Sequence, residues 1–205
     1  MYMPATQQQW TLDEVERLID ERPGLTPRYE LVDGALLVTP APTGRHQRII
    51  LELAFRLGPY ITRYRLGEVR LGPAAVRLGA DARFEPDLFV IPAIDGRMPR
   101  ANDPVTRVSL VVEVLSPGSV RHDRFTKRRA IQRYNVRDYW VVDGDAEAFE
   151  IWHPDDDRAV LIDDRLTWQP EGAPATFELD VRDFFAAVAD EVEEGEGSAA
   201  SSAIP

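Results

Sequence analysis

The chain has 205 residues, 44% of them hydrophobic, enough for one domain with a substantial core and too short for two comfortable ones. It has no cysteine, which excludes disulfides and zinc-thiolate sites and gives no sign of an oxidising compartment. The net charge of −11 is uneven: residues 143–205 hold 18 acidic and 3 basic side chains, leaving +4 on residues 1–142, so a nucleic-acid partner is not excluded.

In chain order, the opening "MYMPATQQQW" lacks a basic start followed by an apolar run, and no stretch is as long as the roughly 18 apolar residues of a membrane span. The expectation is a cytoplasmic protein without membrane contact. "TLDEVERLIDE" predicts a helix with a capping box, Thr11 and Glu14, and an apolar stripe of Leu12, Val15, Leu18 and Ile19. "YELVDGALLVTP" predicts a hairpin turning at Asp33-Gly34. A second helix is predicted over Gly44 to Arg63, with Ile49, Ile50, Leu53, Leu57 and Ile61 at helical spacing and a kink at Pro59.

Strands follow at "GEVRLG", "AAVRLG", "PDLFVIP" and "VSLVVEVLS", then a helix from about His122 to Asn135 and a strand at "DYWVVD". The order is helix, strands, helix, strand, which predicts an α/β or α+β body: one mixed central sheet flanked by helices, preceded by an N-terminal helix and hairpin. "EAFEIW" and "RAVLID" extend the sheet or form a second hairpin layer, and "FELDVRDFFAAV" suggests a last short helix. The domain is expected over 1–190, with 191–205 an acidic, small-residue tail without fixed structure.

Glu113 is the anomaly in this pattern, a carboxylate inside the apolar run "LVVEVL". Taking it out of water costs several kcal/mol unless something compensates it. Asp87 opens another apolar strand directly after Pro86, and neighbouring strands lie only about 4.8 Å apart. Two such carboxylates would repel unless one stayed protonated. A hard divalent cation resolves the conflict, since Mg²⁺ is typically held by one or two carboxylates with water and phosphate oxygens.

The basic residues carry a second signal. Of 24, 23 are arginine and one is lysine, Lys127. Against that background the surviving ammonium is a candidate for a task a planar guanidinium cannot perform. Asp123, Lys127, Ala130, Ile131 and Tyr134 share the apolar face of the predicted helix, which points acid and lysine inward. A plain i,i+4 ion pair between Asp123 and Lys127 is the simpler explanation. Residues 121–137 hold seven basic side chains and one acidic, either a solvated helix face or a phosphate-contacting one.

The blocks "YELVDG", "GRHQRI", "PDLFV", "LVVEVLSPGS", "HDRFTKRRAIQRY" and "DYWVVD" resemble, in order and spacing, the Uma-type restriction endonucleases of the PD-(D/E)XK nuclease superfamily. The resemblance covers about 29–143 and implies a restriction-endonuclease-like αβββαβ core. It implies that Asp87 and Glu113 are the motif acids holding Mg²⁺, with Mn²⁺ as substitute. The motif lysine two residues after the glutamate is replaced by Leu115, and the resemblance implies that its role has moved to Lys127. Glu30 would complete the metal site, and His46, Asp123 and Tyr134 are possible accessories. The implied reaction is metal-assisted hydrolysis of a phosphodiester, with DNA the expected substrate and Arg121, Arg124 and Arg128 contacting flanking phosphates. The sequence leaves the oligomeric state open; duplex cleavage by one site per chain favours a homodimer.

Two other readings stand beside this one. One is a catalytically degenerate nuclease-fold module that binds protein or nucleic acid, which the missing lysine and the acidic C-terminal third favour. In the other, the acidic tail mimics a polyanion and covers the basic helix. The three histidines form no spaced metal motif, no phosphate-binding glycine loop occurs, and "LSPGS" lacks the nucleophile-elbow pattern of serine hydrolases.

Overall fold

The computed structural model describes residues 9–189 apart from Pro23 and Leu25. Helix α1 (Leu12–Glu21) begins with the expected capping box, the Thr11 hydroxyl accepting from the Glu14 N–H while the Glu14 carboxylate accepts from the Thr11 N–H. It lays Val15 on Tyr29 and Leu31 of β1 (Arg28–Val32). Strand β1 pairs antiparallel with β2 (Ala35–Thr39). Their turn uses positive φ at both Asp33 (53°) and Gly34 (75°), the left-handed pair that matches the twist of a tight hairpin. Helix α2 (Gly44–Arg63) continues through Pro59, and the Thr43 hydroxyl caps it by accepting from the His46 N–H at 3.3 Å.

Five strands follow: β3 (Gly67–Leu71), β4 (Val76–Gly79), β5 (Ala82–Phe84), β6 (Leu88–Pro92) and β7 (Leu110–Val114). The predicted single helix over 122–135 is instead a π-helical segment, His122–Lys127, running into α3 (Arg128–Arg133). Such wide turns are rare and concentrate at functional sites. The chain ends in β8 (Asp138–Asp143), β9 (Ala148–Trp152), β10 (Val160–Ile162), β11 (Arg165–Trp168), β12 (Phe177–Asp180) and α4 (Val181–Ala189). The last predicted helix is thus half strand, because Phe177 and Leu179 alternate inward before Val181 starts the helical face. The expected tail, 191–205, lies outside the described residues, as does residue 190.

The central sheet is six-stranded and mixed, in the order β10-β9-β8-β7-β6-β3. Only β7 and β8 are parallel, and the π-helix with α3 makes the crossover between them. A second sheet, β2-β1-β5-β4, lies beside it, and β11 and β12 pair as a separate ribbon.

Side-chain alternation divides the interior into two cores. Leu88, Val90, Leu110, Val112, Val114, Trp140 and Val142 pack with the buried faces of α2, α4 and the β11–β12 ribbon. Trp140 and Trp168 meet edge to face there, with ring centroids 5.4 Å apart. Phe89, Val111, Tyr139 and Val141 point the other way, onto Ala130 and Ile131 of α3 and onto Val32 and Phe84 of the second sheet. Glu113, two residues from Val111, falls on this second face, and so does Asp87, two residues before Phe89. The β6–β7 register pairs Leu88 with Val112, so one step further Asp87 stands opposite Glu113.

Candidate active site

The two strand acids are buried, Asp87 at 4% exposure and Glu113 at 1%. Asp87 precedes β6 rather than lying within it, and both its oxygens are engaged. Oδ1 accepts from Arg28 Nη1 at 2.8 Å; Oδ2 accepts from the Val114 N–H at 2.9 Å and lies 3.0 Å from His46 Nε2. Burial pushes its pKa up, but the hydrogen bond and charge of His46, with Arg28 and the Val114 N–H, bring it down to about 2.

Glu113 meets Lys127, whose Nζ is 3.1 Å from Oε1. The same ammonium lies 2.8 Å from Glu30 Oε2 and 3.3 Å from Asp123 Oδ1. The π-helical segment brings Asp123 and Lys127 to this point together, and the Tyr139 hydroxyl secures it by donating to the Asp123 carbonyl at 2.9 Å. Glu30 Oε1 accepts from the Glu85 N–H at 2.7 Å, fixing the third carboxylate. Burial pulls the Lys127 pKa down, but Glu113, Glu30 and Asp123 more than offset it and hold it well above its ordinary value.

The cluster does not neutralise itself. Glu30, Asp87, Glu113 and Asp123 are four carboxylates, whereas Arg28 and Lys127 are the permanent cations among them and His46 is a third only when protonated. Burial, with the charges of Asp87, Asp123 and Glu30, outweighs Lys127 and pushes Glu113 well above the usual carboxylate range. Glu30 Oε2 and Asp123 Oδ1 are buried and meet the ammonium as ion pairs, with no other hydrogen-bond partner. Among the described residues no three His, Asp or Glu side chains form a ready-made metal cage. Lys127 sits at the point that three of the acids share, and Arg28 and His46 take up Asp87.

His46 also lines a cleft of about 750 Å³, together with Arg45, Val114, Ser116, Arg124 and Asp143. The structure therefore brings Glu30, Asp87, Glu113, Lys127, Asp123 and His46 together. It leaves Tyr134 outside, where its hydroxyl bonds Asp81. Arg124 is tied to Glu150 (2.6 Å) and Asp143 (2.8 Å), and Arg128 stacks over Trp152 at 4.3 Å, so of the three expected phosphate contacts only Arg121 is exposed.

Sequence reasoning missed Arg28. Its position two residues before Glu30 puts it on the same face of β1, and that period-two spacing was the available signal.

Residues 12–182 match the Uma2 family, described as "Putative restriction endonuclease". The chain also resembles the crystal structure of a putative nuclease belonging to DUF820 from Anabaena variabilis ATCC 29413. The two are 22% identical with a TM-score of 0.70, and the match covers 87% of this chain and 98% of the other. No curated protein matches. Among the described residues no helix is long and apolar enough to cross a membrane.

Proposed function

Since the chain belongs to the Uma2 family of putative restriction endonucleases, we propose that it is a Mg²⁺-dependent nuclease hydrolysing phosphodiester bonds in DNA, with Asp87, Glu113 and Lys127 at its centre. The observation that carries this reading is the charge balance of the buried cluster: four carboxylates against two permanent cations, Arg28 and Lys127, with His46 adding a positive charge only when protonated. With His46 neutral the excess equals the charge of one divalent ion, and hard carboxylate oxygens are its preferred ligands.

Asp87 and Glu113 would hold the ion, with Glu30 in reach of the same cluster. A bound Mg²⁺ supplies Lewis acidity toward water and the scissile phosphate. The remaining work belongs to the chain itself. Lys127, freed from part of its carboxylate contact, offers an ammonium donor to the attacking water and to the charge that builds on the pentavalent phosphorus. Glu30 and Asp123 keep that ammonium charged and aimed. Burial at 2% exposure keeps bulk water off it, which strengthens each of these interactions. The expected test result is that Glu113→Gln remains folded and no longer nicks DNA in the presence of Mg²⁺. A variant that cuts as well as the unsubstituted protein would refute the mechanism.

A second reading, the degenerate binding module, is favoured by the fact that Asp87 is already paired with Arg28 and His46, and Glu113 with Lys127. Calorimetric titration with Mn²⁺ separates the two, because a degenerate site binds none.

A further inference from the structure

The π-helical segment carries chemistry on its outer face as well as its inner one. Phe125 is 53% exposed and belongs to none of the buried clusters, although Ala130 and Ile131 of the following turns are fully buried. Arg121 and Arg129 lie four residues to either side of it, both exposed and without an ion pair among the described residues. The arginines around them are occupied: Arg124 by Glu150 and Asp143, Arg128 by Trp152, Arg133 by Asp33. Asp123, the sole acid in 121–137, is buried against Lys127. The outward face is therefore an aromatic ring between two uncommitted guanidinium groups, with no negative side chain of its own. It adjoins the cleft, since Val120 and Arg124 line that cleft.

We infer that Arg121, Phe125 and Arg129 form a platform for an unpaired nucleotide of the substrate strand, the base stacking on Phe125 and its flanking phosphates meeting the two arginines. This rests on the nuclease reading and narrows its substrate to single strands, overhangs or frayed ends. An intact duplex keeps its bases stacked on one another and offers Phe125 no free face, whereas an unpaired base stacks on an aromatic side chain whatever its identity. A second copy of the chain is the poorer occupant, because self-association here would press like charges together.

The test is fluorescence anisotropy in EDTA, where no cleavage is needed, with labelled single-stranded and blunt duplex oligonucleotides. Phe125→Ala is expected to weaken single-strand binding about five- to a hundredfold, leave duplex binding unchanged and leave the melting curve intact. Phe125→Tyr keeps single-strand binding. The pair Arg121→Ala and Arg129→Ala lowers the salt slope by about one to two. Equal single-strand affinity in Phe125→Ala and the unsubstituted protein overturns the platform. If that variant instead turns a dimer into a monomer by sedimentation, the face belongs to self-association and the platform is likewise overturned. Failure of the unsubstituted protein to bind either oligonucleotide also overturns it, while nicking by that protein and not by Glu113→Gln would keep the nuclease reading standing alone.

Discussion

Lys127 places its ammonium 3.1 Å from Oε1 of Glu113, linking β7 to the helix that follows it. The contact closes a three-carboxylate cage with Glu30 and Asp123. A methyl-ended chain in this place would leave three acids facing one another in a dry interior. Lys127→Met is therefore expected to abolish nicking and to lower stability by about 3 to 5 kcal/mol, read from urea unfolding. Lys127→Arg should not restore activity, because a planar fork cannot replace a compact ammonium in that cage. Nicking by Lys127→Met at the unsubstituted rate would remove the lysine from the mechanism.

Glu113 gives a prediction of opposite sign for stability. Its folded pKa lies well above the ordinary value of 4.5, chiefly through burial. A carboxyl whose pKa is raised by folding favours the folded state when protonated, so its contribution declines as pH rises from 4.5 toward the folded value. Metal-free Glu113→Gln should therefore melt higher than the unsubstituted protein at neutral pH, and that advantage should shrink toward pH 4.5. Lys127 retains Glu30 and Asp123 in this variant. A lower Tm for Glu113→Gln at pH 7 would contradict the electrostatic account of the cluster.

Asp87 behaves in the reverse sense. Its pKa falls from 3.8 to about 2 on folding, so the stability it contributes is fully present above 3.8 and is lost as pH drops through about 2. Acid unfolding followed by circular dichroism should be steep in that window. Asp87→Asn should flatten this limb and lower stability at neutral pH, since it leaves the buried Arg28 without its anion.

Arg28 competes for the oxygen a metal would use, its Nη1 lying 2.8 Å from Asp87 Oδ1. Burial lowers its pKa, but Asp87 and Glu113 more than offset this and keep it a permanent cation. Arg28→Met should raise Mn²⁺ affinity several-fold in calorimetry. Unchanged affinity would mean that Arg28 stays in place when the ion binds.

The lone carboxylate in the apolar run of β7 and the single lysine made much of the site legible. Acids on two neighbouring apolar strands marked Asp87 and Glu113 as able to meet, and the helical pattern turned Asp123 and Lys127 inward, where the structure has both buried. The hairpin turn and the capping box were readable because they depend on neighbouring residues alone. Strands β5 and β11, of three and four residues, are too short to show a period. The π-helical segment was missed because its side chains look helical, and only tertiary contacts such as Tyr139 to the Asp123 carbonyl distinguish it. The commitments of Arg124 and Arg128 were invisible for a similar reason: Glu150 and Trp152 lie on a strand more than twenty residues later.

The measurement that addresses the central claim most directly is anomalous diffraction from crystals soaked in Mn²⁺. The account predicts a manganese peak bonded to carboxylate oxygens of both Asp87 and Glu113, with Arg28 displaced from Oδ1. Crystals that show no peak there, with Arg28 still on Asp87 and Lys127 still on Glu113, would contradict it.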